Sequence, residues 1–161
     1  MGGAILPHPM ETEMTPARWR TLAAEAERAR KRSYAPYSRY HVGAALLTTR
    51  GVVRGCNVEN ASYPLCICAE AAAVARAVSQ GWRDWIALAV ATAGPTAGAP
   101  CGACRQILAE FGLSLPVGLV VGGEVARVVT VAELLPLGFT GAVLAESVAA
   151  SAKPSARKAG A

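Results

Sequence analysis

Two short cysteine motifs carry the residue types in this sequence that are best suited to chemistry. The first is "CAE" at 68–70, and the second is "PCGAC" at 100–104. Cys101 and Cys104 are three positions apart, so on a helix both sulfurs lie on one face. Thiolates bind zinc, and the N–H groups and dipole at a helix N-terminus stabilise them. Together with Cys68, they predict three ligands for one tetrahedral zinc ion.

A zinc site with three protein ligands favours catalysis over a purely structural role. The fourth position is left to water, which is the arrangement of catalytic zinc sites. The sequence has two histidines, His8 near the N-terminus and His41, and neither is a convincing fourth ligand. Glu70 lies two residues after Cys68, close to the metal without needing to bind it. We therefore expect Glu70 to accept a proton from the water.

A closed structural zinc site is the alternative that the cysteines alone leave open. Cys66 would then be the fourth thiolate, and Glu70 would be a surface acid. Against this, Cys66 precedes the helix and gains nothing from its dipole, and the Cys-x-Cys spacing is tighter than zinc sites usually use. We expect Cys56 and Cys66 to be small core residues. The odd number of cysteines, five, favours reduced thiols over a disulfide framework.

Both motifs are predicted to open a helix, and these helices alternate with short strands. An alanine-rich helix over about 68–80 ends at Gly81, and a second over about 101–111 ends at Gly112. The other predicted elements are a helix starting at Thr15–Pro16, two strands joined near Arg50–Gly51, the strand "WIALAVAT", a hairpin around Gly122–Gly123, and a short helix capped by Thr130 and Glu133. This alternation predicts an α/β fold in which helices flank a mixed sheet.

The length of 161 residues suits a single domain. We place the domain at 15–146, between a loose leader at 1–14 and a mobile basic tail at 147–161. The net charge of +5 does not define a nucleic-acid-binding face, since 33–146 carries seven basic and seven acidic side chains. No stretch has the pattern of a membrane span or a signal peptide. We expect a cytoplasmic protein without a nucleic-acid or membrane partner.

In and around the two motifs, the sequence resembles the small, homotetrameric cytidine deaminases. The resemblance extends from about Tyr34 to Phe139 through "YAPYSRYHVGAAL", "GCNVENASY", "CAE", "PCGACRQ" and "ELLP". Zinc nucleobase deaminases share a Cys or His, x, Glu motif followed by Pro-Cys-x-x-Cys. The resemblance implies a three-layer α/β/α fold with a five-stranded mixed sheet, one Zn²⁺ per subunit and a homotetramer. It also implies hydrolytic deamination of cytidine and 2′-deoxycytidine, with release of ammonia, in pyrimidine salvage.

The resemblance further implies a role for each residue of the site. Cys68, Cys101 and Cys104 hold zinc. Glu70 moves protons while a zinc-activated water attacks C4 of the pyrimidine. The substrate-binding residues that the resemblance implies are Asn57 and Glu59 at the ribose hydroxyls, Tyr40 against the base, Ala61 and Tyr63 at a subunit junction, and Phe139 donated to a neighbouring active site. A monomer is then expected to be nearly inactive.

One position departs from the pattern of many all-cysteine members, which carry an arginine directly after the glutamate. This chain has Ala71 there. Zn²⁺ with three thiolates carries a net negative charge, which weakens it as a Lewis acid. The two helix N-termini compensate for this charge in part. Arg105, Arg76 and Arg54 are candidates for the remaining compensation.

Three other functions fit parts of the sequence. A deaminase of the same fold could act on another cytosine nucleoside, such as a nucleoside antibiotic, although Asn57 and Glu59 speak against it. The balanced charge of 33–146 and the absence of an inserted basic, aromatic-bearing loop disfavour a polynucleotide deaminase. A zinc-stabilised binding module without catalysis leaves Glu70 and "NVEN" unexplained.

Overall fold

A mixed five-stranded sheet forms the centre of the computed structural model, which describes residues 12–151. The strands are β1 Val42–Thr48, β2 Gly51–Cys56, β3 Trp85–Thr92, β4 Pro116–Val121 and β5 Glu124–Thr130. Their order across the sheet is β2-β1-β3-β4-β5. β3 and β4 run parallel, and the other neighbours are antiparallel. The predicted mixed sheet is therefore confirmed.

Helices cover both faces of this sheet. α1 Pro16–Arg30 covers one face, and α2 Ala69–Ser79 and α3 Gly102–Ala109 cover the other. The remaining helices are α4 Val131–Leu134 and α5 Gly141–Ser151, and a 3₁₀ turn spans Tyr63–Leu65. On β3, Leu88 and Val90 point to the face covered by α2 and α3. Ala87, Ala89 and Ala91 point to the opposite face, against α1. The predicted three-layer α/β/α arrangement is confirmed.

Two glycines allow the helices to approach the sheet closely. A Cβ atom added to Gly43 would lie 2.2 Å from the carbonyl oxygen of Ala26 on α1. One added to Gly55 would lie 2.3 Å from the carbonyl oxygen of Ala69 and 2.4 Å from the nitrogen of Ala73. Both distances are far shorter than any non-bonded contact, so neither position has room for a side chain. The backbone of α2 thus packs directly onto β2 and fixes the height of its first turn above the sheet.

The second helix of the site comes from the crossover between the parallel strands. β3 ends at Thr92, the loop 93–100 follows, and α3 returns the chain to β4. In open α/β sheets, ligands bind outside the carboxyl ends of the strands. The N-terminus of α3 comes directly after such an end, which places its first turn where a ligand is expected.

The C-terminal part of the chain differs from the prediction. α5 was not predicted, and its residues 147–151 are helical although they were assigned to a mobile tail. None of its residues is buried. Residues 1–11, with His8, and 152–161, with the remaining tail, lie outside the described residues, and the domain limits stay a prediction. Within 12–151, no helix has both the length and the apolar character needed to span a bilayer.

Candidate metal centre and active site

The three cysteines of the two motifs converge on one point. Their Sγ atoms all lie within 4.8 Å of one another, the one such group of potential metal ligands within residues 12–151. Sγ of Cys68 is 3.8 Å from Sγ of Cys101. A tetrahedral site with Zn–S bonds of about 2.3 Å separates its sulfurs by about 3.8 Å. The spacing of the Cys68, Cys101 and Cys104 sulfurs therefore fits a zinc ion.

Each of these cysteines lies at the start of a helix. Cys68 is the N-cap of α2, and Cys101 is the N-cap of α3. Cys104 follows in the first turn of α3 and is buried. Helix N-termini present unpaired N–H groups and a positive partial charge. Two helices thus direct their positive ends at a single cluster of sulfurs, as the sequence predicts.

Burial and mutual contacts shift the pKa values of the three thiols. Burial raises the pKa of Cys68. Burial and the charge of Glu70 also raise the pKa of Cys104. At Cys101 burial acts in the same direction, but hydrogen bonds with Cys104 and Cys68 outweigh it and lower the pKa. Burial thus disfavours ionisation of Cys68 and Cys104, and a bound divalent cation would favour it.

Glu70 is a buried carboxyl group beside these sulfurs. It lies in the first turn of α2 and is only 5% exposed. Burial raises its pKa. A carboxyl whose pKa moves toward neutrality is suited to take up and release protons near pH 7. It thus lies next to Cys68, Cys101 and Cys104, the three candidate metal ligands.

A cavity of about 320 Å³ opens onto this centre. Cys68, Glu70 and Cys101 are among the residues that line it, so the cavity lies at the candidate metal centre. Small-molecule sites start at about 300 Å³, so the cavity is large enough for a small ligand. The predicted residues Asn57, Glu59, Tyr40 and Tyr63 also line the cavity.

Asn57 and Glu59 anchor the segment that forms one wall of the cavity. Oδ1 of Asn57 accepts from the N–H of Val42, and its Nδ2 donates to the carbonyl of Tyr40, each at 2.8 Å. Glu59 accepts from the hydroxyl of Ser38 and from the N–H groups of Ser38 and Tyr37. These bonds, led by the Ser38 hydroxyl, lower the pKa of Glu59. Both side chains are therefore held rigidly, and each keeps some capacity for a further hydrogen bond.

The remaining predicted residues lie at the exposed side of the site or away from it. Tyr40 is partly exposed, and a Cβ atom added to Gly98 would come within 2.8 Å of its hydroxyl oxygen. Tyr63 packs edge-on against Tyr37, with ring centroids 6.0 Å apart. Ala61 and Phe139 are exposed and do not line the cavity of their own chain. Their predicted roles involve a neighbouring subunit and stay predictions.

The sequence analysis missed several lining residues, most of them apolar and two of them with a hydroxyl group. Ser38 lines the cavity and holds Glu59. Thr92 also lines it, and its Oγ1 accepts from the N–H of Gly98 at 3.0 Å. Thr92 could have been recognised from the sequence as a candidate site residue, because it is the polar residue at the carboxyl end of an apolar strand. Ser38 gave no such signal, since serine is common in turns.

Comparison with known proteins identifies the family of this site. Residues 18–119 match the family model of the cytidine and deoxycytidylate deaminase zinc-binding region. The chain belongs to this family. It is a deaminase, and because the matching model is itself a zinc-binding region, the predicted zinc cofactor is also confirmed.

Individual relatives agree with this assignment. The chain is 48% identical over 124 residues to a cytidine deaminase of Sporosarcina psychrophila, covering 74% of this chain and 89% of that one. Its fold matches the crystal structure of cytidine deaminase from Burkholderia pseudomallei with a TM-score of 0.71 and 46% identity, over 78% of this chain and 100% of that chain. A blasticidin-S deaminase of Bacillus cereus is 30% identical over 113 residues, covering 64% of this deaminase and 79% of the relative.

The two cysteines outside the metal centre are not core residues, contrary to the prediction. Cys56 and Cys66 are both partly exposed. Sγ of Cys56 donates to the carbonyl of Arg32 at 3.6 Å. Sγ of Cys66 accepts from the N–H of Asn60 at 3.3 Å and contacts its carbonyl at 3.7 Å. Cys66 is held within a local segment, whereas Cys56 ends β2 and contacts Arg32 across the fold, and neither sulfur is packed in the core.

Replacing Cys66 by serine should leave zinc bound. Serine can take over both contacts with Asn60, and Cys66 is not part of the cluster of three sulfurs. We expect Cys66→Ser to retain the zinc content of the unmodified chain, measured by atomic absorption on purified protein. Loss of zinc from a folded Cys66→Ser protein would show that the site is a closed four-cysteine site.

Proposed function

We propose that this deaminase converts cytidine and 2′-deoxycytidine to uridine and 2′-deoxyuridine, releasing ammonia, in pyrimidine salvage. The observation that carries the proposal is the buried Glu70 beside three converging thiols, at a cavity that Glu70, Cys68 and Cys101 help to line. The relatives described as cytidine deaminases support the choice of substrate. We further propose Cys68, Cys101 and Cys104 as the zinc ligands. Bound zinc would supply Lewis acidity that lowers the pKa of water toward neutrality.

Glu70 would carry protons between the water and the base. Its carboxylate takes one proton from the attacking water and passes it to N3 of the pyrimidine as the C4–O bond forms. It then transfers the second proton of the water to the exocyclic amino group, so that ammonia leaves as the C4–N bond breaks. Its burial excludes bulk water, which would otherwise compete for these protons. The same side chain is thus base and then acid within one turnover.

The first turn of α3 would stabilise charge that develops at C4. N–H groups at a helix N-terminus have no intrahelical partner and are available to an oxygen that becomes negative. Cys101, the N-cap of α3, lines the cavity. We infer that the N–H groups next to Cys101 supply this stabilisation and also offset the charge of the thiolates.

Asn57, Glu59 and Tyr40 would bind the rest of the nucleoside. Three donors already hold the carboxylate of Glu59, and it can accept one more hydrogen bond from a ribose hydroxyl. Asn57 has one N–H that its two backbone contacts do not use. Tyr40 would pack its ring against the base. The rigid anchoring of both polar side chains reduces the entropy that is lost when the sugar binds.

Absorbance measurements on four compounds test the proposal. The absorbance of cytidine and 2′-deoxycytidine should fall as the amino group is lost, whereas single-stranded DNA should show no reaction. A cytosine nucleoside antibiotic is the fourth compound, because of the blasticidin-S deaminase relative. A higher kcat/KM on the antibiotic than on cytidine would show that the antibiotic is the preferred substrate and would contradict our proposal. Inactivity of the zinc-loaded chain on both nucleosides would refute it.

Cytidine should be a better substrate than CMP. The negative charge of Glu59 at the sugar repels a 5′-phosphate, and its lowered pKa keeps it ionised throughout the working pH range. We expect kcat/KM for CMP to be lower by roughly tenfold or more, as Coulomb repulsion across a few ångströms predicts. Glu59→Gln should reduce the difference in kcat/KM between cytidine and CMP, because it removes the negative charge at nearly constant size. Comparable kcat/KM values for the two compounds in the unmodified enzyme would contradict the role of Glu59.

We also propose that the active enzyme is a homotetramer in which Ala61, Tyr63 and Phe139 lie at subunit contacts. Phe139 is 59% exposed, and Leu137 beside it is fully exposed. Large apolar side chains exposed on one segment often belong to an interface. Light scattering in solution would give the subunit number. The cytoplasmic location and the absence of nucleic-acid and membrane partners stay predictions.

A further inference from the structure

The structure separates the three arginines that might offset the thiolate charge. Arg54 lies on β2 and pairs with Glu25 of α1, with its Nη1 3.2 Å from the carboxylate, on the face opposite α2. Arg76 lies in the last turn of α2, eight residues after Cys68. At a rise of 1.5 Å per residue, this is about 12 Å along the helix. Of the three, Arg105 is the one that directly follows a cysteine of the cluster, Cys104, in the sequence.

The guanidinium group of Arg105 joins two segments of the chain. Its Nε donates to the carbonyl of Pro100 at 2.7 Å, and its Nη1 donates to the carbonyl of Leu134 at 2.9 Å. Pro100 is fully buried and immediately precedes Cys101. Leu134 is the last residue of α4, where carbonyls lack partners within the helix. One side chain thus links the entry of the metal-bearing helix to the end of its neighbour.

These two bonds constrain the peptide unit that enters the metal centre. A trans peptide is planar, with C=O and N–H pointing in opposite directions. When Arg105 fixes the carbonyl of Pro100, it also fixes the N–H of Cys101 and the start of the Cys101 main chain. The stability of α3 does not explain a cation at this position, because the helix dipole disfavours positive charge in the first turns.

We propose that Arg105 is a positioning residue of the metal centre. Through the carbonyls of Pro100 and Leu134, it holds the start of α3 so that Cys101 and Cys104 are presented as a preformed pair of ligands. This rests on the proposed assignment of these cysteines as zinc ligands. The role depends on these two directed hydrogen bonds, not on the positive charge of the side chain.

Metal affinity of two Arg105 variants tests the proposal. Arg105→Gln removes both the charge and the fork of donors, whereas Arg105→Lys keeps the charge but cannot donate to both carbonyls in the same plane. Loss of an outer partner of a metal ligand typically lowers metal affinity about 10–100-fold, and we expect both variants to fall in this range. The zinc affinity is measured by competition with a chromophoric chelator. Arg76→Gln is the matched control and should bind zinc as the unmodified chain does.

The spectrum of the Co²⁺-substituted protein provides a second readout that requires no turnover. Displaced thiolates should change the position and intensity of the thiolate-to-cobalt charge-transfer bands in both variants. If Arg105→Lys binds zinc and cobalt like the unmodified chain while Arg105→Gln does not, the role is charge alone and the proposal is wrong. Unchanged affinity in both variants would also overturn it.

Misfolding and failure of the metal centre itself are distinguishable from these outcomes. Arg105→Lys keeps the aliphatic stem and the charge. If Arg105→Gln does not fold, the zinc affinity and the cobalt spectrum of Arg105→Lys still test the proposal. Near-ultraviolet circular dichroism identifies folded protein before metal is added. An unmodified chain that binds neither zinc nor cobalt would instead refute the proposed zinc ligands and, with them, the proposed function.

Discussion

Glu70→Gln should reduce kcat for cytidine by roughly a thousandfold while zinc stays bound. General acid–base catalysis by one side chain contributes about 10²–10⁴ in rate, and Glu70 would handle two proton transfers in each turnover. The amide has nearly the same size as the carboxyl group, so the buried site keeps its shape. It cannot accept the proton of the water. KM should change much less than kcat, because the lost interaction acts mainly in the transition state.

Steady-state kinetics and zinc content, measured on the same preparation, check this prediction. Glu124→Gln is the matched control, since Glu124 is an exposed glutamate on β5, outside the cavity. It should keep the activity of the unmodified enzyme. If zinc-loaded Glu70→Gln keeps more than about a tenth of kcat, below the usual effect of a general acid or base, another group carries the protons.

Cys104→Ser should abolish both zinc binding and activity. Cys104 is 1% exposed and is the most deeply buried sulfur of the cluster. Serine is a much weaker zinc ligand than a thiolate, and it leaves the thiols of Cys68 and Cys101 unsupported by a bound cation. Activity should fall to background, because the remaining groups cannot activate water without the metal.

Thermal unfolding tests the predicted loss of zinc binding in Cys104→Ser without measuring enzyme activity. A ligand present at about a thousand times its Kd stabilises the folded state by about 4 kcal/mol. For a chain of this size, 1 kcal/mol shifts Tm by about 2–4 °C. A strong chelator should thus lower the Tm of the unmodified enzyme by roughly 10 °C and leave that of Cys104→Ser unchanged. Cys56→Ser, the control, should retain zinc and the full chelator effect. A Cys104→Ser protein with normal zinc content would show that Cys104 is not a ligand.

The local signals in the sequence predicted most of the elements correctly. Thr15 caps α1, and the capping box of Thr130 and Glu133 is present at α4. Gly122 and Gly123 both have positive φ, as a tight hairpin turn requires. Each of these features depends on a few consecutive residues, so no knowledge of distant contacts was needed.

Features that depend on distant contacts were not predictable from such signals. The sheet order places β1 between β2 and β3, which follows from packing rather than from any motif. α5 was missed because its small and apolar residues show no polar face and bury nothing. α3 is shorter than predicted and ends at Ala109. Such limits depend on the capping contacts that the folded chain makes.

In the candidate site, too, features set by local sequence were predictable and features set by distant contacts were not. The convergence of Cys68, Cys101 and Cys104 was predictable because each lies at or within the first turn of a helix and thiolates favour helix N-termini. The contacts of Asn57 and Glu59 with residues 37–42 were not, because nothing in "NVEN" shows what a side chain meets across the fold. The carbonyls held by Arg105 belong to the same class of long-range contact.

The absence of a side chain at Gly55 determines where Cys68 and Glu70 lie. The main chain of α2 packs directly against this glycine. Strand β2 therefore sets how closely the helix that carries Cys68 and Glu70 can approach the sheet. Any larger residue at 55 would push that helix outward and separate its first turn from the first turn of α3. Gly55 thus sets the distance between the first turn of α2 and the first turn of α3, although it has no side chain to offer a substrate. Engineering of this scaffold has to treat Gly55 as part of its catalytic geometry.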